Sequence, residues 1–314
     1  MPIVSVVMPV YNEKEYMIQE AIDSVIHQTF TDWELIIVCD NIDDEEFKQF
    51  LLAIQDKRVR LLFNEQHLGE AGSRNRGISS AKGKYIAIFD GDDVCELDRL
   101  ESEIHYLESQ SCDMVCGGRY LIDEQGKELE TFDKEIIGEK LSDYLLYLNC
   151  ICHSTVFIKK SVLEQLGGYR QYVAVDYELW LRLKKAGFKI GYLDKKLIRY
   201  RVRTNSITGK NSYLQTIDCS YFRKLYRKNK ILNDYDEKAY KKYVGKFLRN
   251  KPKAIDHFNR SVQKRKSFTE KMKQRKYISA LCEYAGAVLG SRIYRLNIYN
   301  SIRFKLFLLT SRGL

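Results

Sequence analysis

Strand and helix signals alternate along the first 110 residues, and this alternation restricts the chain to a small set of folds. Short apolar runs typical of buried strands are each followed by a polar break, and stretches with helical spacing or polar character lie between them. Strands are predicted at Val4–Met8, Glu34–Cys39, Val59–Phe63 and Tyr85–Phe89, and helices at about Tyr16–Gln28, Asp44–Gln55 and Gly69–Gly83. Repeated βα units favour an α/β fold with a mostly parallel central sheet flanked by helices.

The end of the fourth predicted strand carries a dense group of acidic residues. Asp90, Asp92 and Asp93 fall within four positions, interrupted only by Gly91. Carboxylates packed so closely repel one another unless a cation neutralises them, and Mg²⁺ is held by one or two carboxylates together with substrate phosphates. Open α/β sheets bind ligands outside the carboxyl ends of their strands. Taken alone, the cluster is equally compatible with an acidic surface turn.

Composition indicates a globular protein of a reducing compartment. The chain has 314 residues, of which 45% are hydrophobic and 30% charged, and its eight cysteines form no CxxC pair. The first residues have no basic leader and resemble a strand, and no run of 18 apolar residues occurs. Neither GxGxxG after the first strand nor a Walker-type GxxxxGK[ST] is present. We therefore expect a cytoplasmic protein that binds its ligand through other groups.

Charge divides the chain near residue 210. Residues 211–314 contain 25 Lys and Arg against 7 Asp and Glu, whereas residues 1–210 contain 27 against 35. The overall charge of +10 is therefore carried by the last third of the chain. Such a shift predicts two regions with different partners.

Four ordered blocks of sequence resemble the family 2 glycosyltransferases of bacterial polysaccharide synthesis. The blocks are the opening segments Val4–Asn12, Ser24–Thr29 and Trp33–Asp40, then Gly69–Asp93, His153–Phe157 and Asp176–Leu183. The resemblance implies a GT-A fold, inverting transfer from a nucleotide-activated sugar and a divalent metal, Mn²⁺ or Mg²⁺. It divides the chain into a GT-A domain at 1–210, with a nucleotide-sugar half at about 1–110 and an acceptor half at about 111–210, and a basic helical region at 211–314.

The resemblance assigns the base-binding residues of the donor site. Asp40 matches an acid that accepts a hydrogen bond from the base, which favours uracil or thymine, although Cys39 replaces the acid that usually precedes it. Pro9 and Tyr11 would wall the base, and Glu13 would contact the base or ribose. From these residues alone, a strand-end turn with a core aromatic is the favoured interpretation of Pro9 and Tyr11, and it is compatible with a role in base binding.

The acidic cluster and two arginines are assigned to the diphosphate side of the donor site. Asp92 and Asp93 match the metal and ribose positions, with Asp90 a supporting acid. Arg74 would lie near the donor or the acidic cluster, or would be a solvated helix charge. Arg203 stands where the family often has a His. Because Arg can pair with phosphate but cannot ligate a metal, we expect Arg203 to contact the diphosphate.

Asp176 is the predicted catalytic base. Inversion requires one carboxylate to take a proton from the acceptor hydroxyl as it attacks the anomeric carbon. The family places this base in an acidic pair on the first turn of a helix, and here the pair reads Val175-Asp176. Its alternative role is a helix cap. His153 would contact acceptor or donor sugar, or would be structural.

The basic tail is predicted to form several helices. Leu281, Ala285, Val288 and Leu289 recur at helical spacing, and Ile302, Leu306 and Leu309 continue an apolar stripe beside basic residues. Such helices can lie on an anionic membrane, which favours peripheral attachment at the inner face of the cell membrane and a glycan or lipid-linked acceptor. A solvated subdomain or a homodimer contact is the alternative.

Three other functions are weighed against this one. A sugar-phosphate nucleotidyltransferase would need a Gly-rich basic loop after the first strand, whereas Pro9–Glu13 is neutral to acidic. A nucleic-acid-binding protein could use the basic tail but would leave Asp176 and the acidic cluster unexplained, so we expect no nucleic-acid partner. A retaining transferase would not need the Asp176 base.

Overall fold

The computed structural model describes residues 1–41, 43–129, 140–203, 207–233, 236–248, 251–274, 277–291, 293–295 and 298–300. The strands in these ranges are β1 Val4–Val10, β2 Trp33–Cys39, β3 Val59–Phe63, β4 Tyr85–Ile88, β5 Val94–Cys95, β6 Met114–Ile122, β7 Glu128–Leu129, β8 Phe157–Lys159 and β9 Ile190–Arg201. The helices are α1 Glu15–Ile26, α2 Glu45–Leu52, α3 Gly69–Ser80, α4 Arg99–Ser109, α5 Leu141–Tyr144, α6 Lys160–Leu166, α7 Val175–Ala186, α8 Ile207–Arg227, α9 Glu237–Leu248, α10 Lys251–Lys273 and α11 Tyr277–Gly290.

The described strands form one sheet in the order β3-β2-β1-β4-β8-β6-β9-β5, with β7 paired to β6. β3, β2, β1 and β4 are parallel neighbours. β8 runs antiparallel to β4 and β6, whereas β6 and β9 are parallel. β5 and β7 run antiparallel to their partners. Six of these nine strands therefore share one direction, and the predicted mostly parallel α/β sheet is confirmed.

Helices cover both faces of the central strands. Val6 of β1 belongs to a buried core with Ile22 of α1. The next residue, Val7, faces α3, where a Cβ on Gly77 would lie 2.5 Å from Val7 Cγ1. Successive side chains of a strand point to opposite faces, so a continuous apolar run is the pattern expected when both faces are covered. Gly77 allows α3 to approach the sheet closely enough to bring its side chains to the carboxyl ends of β1 and β4.

The chain divides into two compact units. The first contains Met1–Ser142 and Cys150–Ser206 and holds the whole sheet. The second contains Asp143–Asn149 and Ile207–Leu314, and its helices enclose a small core. The buried members of that core are Tyr213, Ile217, Phe258, Ala287, Ile293, Tyr294 and Ile298. The predicted helical tail is confirmed for the described residues.

The C-terminal tail has no described helix that could span a membrane. The apolar stripe predicted at Ile302, Leu306 and Leu309 lies outside the described residues. In the part of the chain that is described, no helix combines the length and the apolar character needed to cross a bilayer.

Candidate active site

The acidic turn follows β4, where the sheet changes from parallel to antiparallel pairing. Asp93 is fully buried, and its Oδ1 accepts a hydrogen bond from the backbone N–H of Arg201 at 2.9 Å. Its Oδ2 is buried with no hydrogen-bond partner among the described residues. Burial, reinforced by the charges of Asp92 and Asp90, raises the pKa of Asp93 well above its ordinary value. A half-satisfied buried carboxylate of this kind favours uptake of a proton or a cation.

Asp92 belongs to the same turn, is only 14% exposed and pairs with Arg203. Arg203 Nε lies 2.6 Å from Asp92 Oδ2, and its Nη2 lies 3.5 Å from Glu13 Oε1. The second Glu13 oxygen accepts a hydrogen bond from the backbone N–H of Tyr11 at 2.8 Å. Burial, partly offset by Arg203, raises the pKa of Asp92 to about 7. The ion pairs thus connect the ends of β1, β4 and β9, and Arg203 lies beside the carboxylates assigned to the donor site.

Asp90 is held from the other side by α3. The buried guanidinium of Arg74 donates to Asp90 and to Glu70, one helical turn earlier. Although burial opposes ionisation, the Arg74 charge contributes to lowering the pKa of Asp90 below its ordinary value. The backbone N–H of Asp90 also donates to Ser154 Oγ at 3.1 Å. Arg74 therefore holds the acidic turn in place through Asp90. Glu70, which the sequence analysis did not single out, in turn orients Arg74.

Asp176 lies in the first turn of α7, as predicted, and is half-buried. The negative charge of Asp176 influences the pKa of two residues that contact Arg74, namely Glu70 and Tyr169. Burial raises the pKa of Glu70, and the carboxylates of Asp90 and Asp176 raise it further. Burial likewise raises the pKa of Tyr169, with Asp176 among the contributing charges. Asp176 therefore belongs to the same electrostatic cluster as the acidic turn, although α7 is separated from β4 by more than 80 residues.

His153 lies in the same cluster, between Tyr169 and Trp180. Its Nε2 lies 2.8 Å from Tyr169 Oη, and its ring packs edge-on against Trp180 with centroids 5.7 Å apart. Burial and the charge of Arg74 lower the pKa of His153 to about 3, so the imidazole is neutral near pH 7. Asn75 holds the backbone of Tyr169 with two hydrogen bonds of 2.8 Å. The structure therefore places His153 in contact with Tyr169, a residue that the sequence analysis missed.

Asp40 follows β2 and binds the loop that leads into α3. Its Oδ1 accepts from Asn64 Nδ2 at 2.5 Å and from Leu68 N at 2.8 Å. Its Oδ2 accepts from Gly69 N and lies 2.8 Å from His67 Nδ1. A carboxylate that the sequence assigned to the nucleobase therefore accepts three hydrogen bonds from the protein itself and lies close to the His67 imidazole.

Pro9 and Tyr11 flank this region at the end of β1. Pro9 is opposite Val38 of β2, and its carbonyl oxygen lies 3.7 Å from the position of a Cβ on Gly91. The Tyr11 ring is 46% exposed and lies 4.9 Å, centroid to centroid, from the ring of His67. The residues predicted to wall a base site therefore lie beside an imidazole that the sequence did not indicate.

The three aspartates predicted as metal ligands are directed to different partners: Asp90 to Arg74, Asp92 to Arg203 and Asp93 to a backbone N–H. No group of three His, Cys, Asp or Glu side chains in the described ranges could hold a metal ion by itself. The unpaired oxygen of Asp93 and the raised pKa of Asp92 nevertheless fit a hard dication whose remaining ligands come from a diphosphate.

Comparison with known proteins identifies relatives of one kind. The model for "Glycosyl transferase family 2" matches residues 5–167. An uncharacterized glycosyltransferase of Methanocaldococcus jannaschii is 32% identical over 254 residues, which cover 79% of this chain and 83% of the relative. The Escherichia coli UDP-Glc:α-D-GlcNAc-diphosphoundecaprenol β-1,3-glucosyltransferase WfgD is 29% identical over 240 residues, covering 75% of this chain and 87% of WfgD.

A solved structure has a similar fold. The crystal structure of residues 1–349 of S. aureus TarS, in complex with UDP-GlcNAc, superposes with a TM-score of 0.60 at 19% identity. The match covers 92% of this chain and 82% of that one. Together with the sheet described above, this similarity confirms the GT-A fold predicted from the sequence.

Proposed function

Because the chain belongs to glycosyltransferase family 2, we propose that it transfers a sugar, with inversion, from a uridine diphosphate donor to a hydroxyl of a glycan or lipid-linked acceptor in cell-surface polysaccharide synthesis. The observation that carries the proposal is the buried Arg74 guanidinium, which donates to Asp90 of the acidic turn and to Glu70, while the Asp176 carboxylate lies close enough to contribute to the raised pKa of Glu70. A base and an acidic diphosphate site thus share one region of the first unit. The names of WfgD and of the TarS complex, both with uridine diphosphate sugars, support the choice of donor.

In the proposed mechanism Asp176 accepts the proton of the acceptor hydroxyl as its oxygen attacks C1 of the sugar. The bond between C1 and the diphosphate oxygen breaks on the opposite face, so the configuration at C1 inverts. Arg74 keeps Asp90 and the acidic turn in place during transfer, since it is buried between Glu70 and Asp90. Arg203, now paired with Asp92, supplies positive charge beside the diphosphate.

Asp92 and Asp93 are the residues proposed to hold a Mn²⁺ or Mg²⁺ ion. When bound, the dication neutralises charge on the departing nucleoside diphosphate. The support is the chemistry of the turn: carboxylate oxygens, one of them unpaired, in a site where burial raises the pKa of both acids.

The proposed reaction is tested by offering the protein uridine diphosphate sugars with a lipid-diphosphate-linked saccharide. Release of UDP that depends on acceptor, together with a product whose anomeric configuration is opposite to that of the donor, is the expected result. Nuclear magnetic resonance of the product gives the configuration. Retention of configuration would contradict the role of Asp176, and transfer of a nucleotidyl group in place of sugar would contradict the reaction class.

Asp92→Asn is expected to abolish the metal-dependent part of UDP binding, because an amide is a weaker ligand than a carboxylate. For the wild type, calorimetry with UDP should give an affinity roughly tenfold or more higher with Mn²⁺ than with EDTA, and the variant should show little difference. The matched control is Asp194→Asn, the same change at an exposed position of β9. Equal affinity of the wild type with Mn²⁺ and with EDTA would remove the metal from the proposal.

We also propose that the second unit contacts an anionic membrane surface. Exposed cations line its helices, including Lys242 and Lys246 on α9 and Lys253 and Lys264 on α10. Each Lys or Arg held near an anionic bilayer contributes on the order of 1 kcal/mol, and salt screens this attraction. The lipid-linked acceptor in the name of WfgD supports this location.

Vesicle sedimentation tests the membrane proposal with the full chain. We expect binding to phosphatidylglycerol vesicles at low salt, release at high salt and little binding to phosphatidylcholine. Failure to bind anionic vesicles at low salt would contradict it. A concentration-dependent dimer seen by light scattering in that case would favour a subunit contact.

A further inference from the structure

We propose that Arg201 is a positioning residue of the donor site, which holds the acidic turn in the conformation that presents Asp92 and Asp93 to a cation-bound diphosphate. The inference rests on the proposed function, in particular on the metal-dependent binding of a uridine diphosphate donor. It concerns only the first unit, to which all of the residues involved belong.

Arg201 contacts the acidic turn through two of its own donors. Its backbone N–H donates to Asp93 Oδ1 at 2.9 Å, and its side-chain Nε donates to the backbone carbonyl oxygen of Asp92 at 2.8 Å. Neither contact uses the Asp92 carboxylate or Asp93 Oδ2, which are the oxygens proposed to face the cation. Arg201 therefore fixes the position of both aspartates without occupying their ligand oxygens.

The guanidinium of Arg201 is itself held in one place. Its side chain is 0% exposed. Nη1 donates to the carbonyl oxygens of Glu124 and Asp123, at 3.0 and 3.3 Å, and Nη2 donates to the carboxylate of Glu20 on α1. Because the N–H groups of a guanidinium form a rigid planar fork, acceptors on several sides leave it little freedom. The position of Arg201 is therefore set by α1 and by the turn that follows β6.

The turn that follows β6 is a rigid support for Arg201. Asp123 Oδ1 accepts hydrogen bonds from the backbone N–H groups of Gln125 and Lys127, at 3.0 and 2.9 Å. Gly126 has a φ of +84°, a left-handed conformation that other residues adopt only with strain. The turn is thus closed by its own hydrogen bonds, and its carbonyl oxygens offer fixed acceptors to the guanidinium.

Arg203, two residues further along the chain, has a different environment. Its Nε lies 2.6 Å from Asp92 Oδ2, and its side chain is 19% exposed. Arg203 can therefore exchange this carboxylate for a phosphate, whereas the buried Arg201 side chain reaches Asp92 only through the carbonyl oxygen. Arg203 is thus suited to contact the ligand, and Arg201 to set the geometry of the turn.

Loss of Arg201 should weaken the cation site more than the nucleoside site. Carboxylates that bind a metal are oriented by outer hydrogen bonds, and removal of such a partner typically costs about 10–100-fold in metal affinity. The partners of Arg201 lie on the acidic turn, on α1 and on the turn after β6. The nucleoside is proposed to lie elsewhere, at the ends of β1 and β2, so its contacts should persist.

Calorimetry with UDP, in Mn²⁺ and in EDTA, tests the inference on the full chain. For Arg201→Met we expect the affinity with Mn²⁺ to fall by roughly tenfold and the affinity with EDTA to change by less than about twofold. Arg201→Lys should recover part of the loss, because an ammonium group can still donate to the Asp92 carbonyl oxygen. Arg199→Met, the same change two residues earlier on β9 at a side chain that is 51% exposed, is the matched control and should bind as the wild type does.

Glu20→Ala is a second variant that does not disturb a buried position. The Glu20 side chain is 49% exposed, so water can take its place, while Arg201 loses the carboxylate that orients Nη2. We expect a smaller loss in the same direction, about threefold in the affinity with Mn²⁺ and none in the affinity with EDTA. Glu20→Ala decides the inference if Arg201→Met and Arg201→Lys do not fold.

Each outcome decides the inference. Variants that keep the wild-type ratio of the two affinities, with or without a lower melting temperature, overturn it, because Arg201 would then have only a structural role. An equal loss with Mn²⁺ and with EDTA overturns it as well, because the nucleoside site would then be affected. A wild type whose affinity for UDP is the same in Mn²⁺ and in EDTA removes the metal from the proposed function and the inference with it.

Discussion

Asp176→Asn is expected to lower the rate of sugar transfer by about 10²–10⁴-fold, the range typical for loss of a general base. The affinity for UDP should change little, because the nucleotide is proposed to lie against the ends of β1, β2 and β4. Measured as turnover at saturating donor and acceptor, the loss should fall on kcat. It is the largest effect on activity that we expect from a single isosteric substitution.

The reason lies in what the amide can no longer do. Asn has the size of Asp but cannot take up the proton of the attacking hydroxyl. The substitution also removes a negative charge from the cluster, and the Asp176 charge is one of those that raise the pKa of Glu70 and Tyr169. Arg74 remains paired with Glu70 and Asp90, so the acidic turn should keep its geometry.

A crossed comparison separates the base from the donor site. Asp176→Asn should lose turnover and keep metal-dependent UDP binding, whereas Asp92→Asn should lose that binding. Asp194→Asn should change neither quantity. If Asp176→Asn retained turnover within a few fold of the wild type, another group would have to accept the proton and Asp176 would be only a residue of the first turn of α7.

The fold could be predicted from sequence where the signal is local. β1, β2 and β4 are apolar runs that are almost entirely buried, β3 is a half-buried run, and each of the four stands close to its predicted position. β9 was not predicted because the consecutive charged residues Asp194, Lys195 and Lys196 interrupt both a continuous apolar run and a regular alternation. Its place in the sheet depends on pairing with β6, more than 60 residues earlier, which no local pattern encodes.

The candidate site likewise contains residues that a local sequence pattern identifies and residues that only long-range contacts identify. The acidic turn was located because it ends an apolar strand. The partners that direct each carboxylate, Arg74 and Arg203, depend on long-range contacts and could only be guessed from the resemblance. Glu70 carried a usable signal, since it stands four residues before Arg74 on the same helix face. His67 and Tyr169 carried none, because an isolated imidazole or phenol in a loop has no periodicity.

A buried ion network holds the segment that precedes α7. The Arg182 guanidinium contacts Glu178 at 2.9 Å and donates at 2.6 Å to the carbonyl oxygens of Leu166 and Gly168. Both charged side chains are 1% exposed. Gly168 has a φ of +68°, and a side chain there would collide with Asn75, so the turn leading to Tyr169 admits few other conformations. Arg182 thus ties α7, which carries Asp176, to the turn that carries Tyr169.

Arg182→Met is therefore expected to lower the free energy of unfolding by about 2–4 kcal/mol, because it leaves the carbonyl oxygens of Leu166 and Gly168 buried without this donor and leaves Glu178 with Arg170, 3.0 Å away, as its remaining cation. Arg199→Met is the matched control. Arg199 pairs with Glu96 at a similar distance, 3.0 Å, but is 51% exposed, and its loss should cost less than about 1 kcal/mol. Urea unfolding followed by circular dichroism measures both free energies of unfolding.

Equal stability of the two variants would mean that the network around Arg182 is hydrated and does not hold the turn.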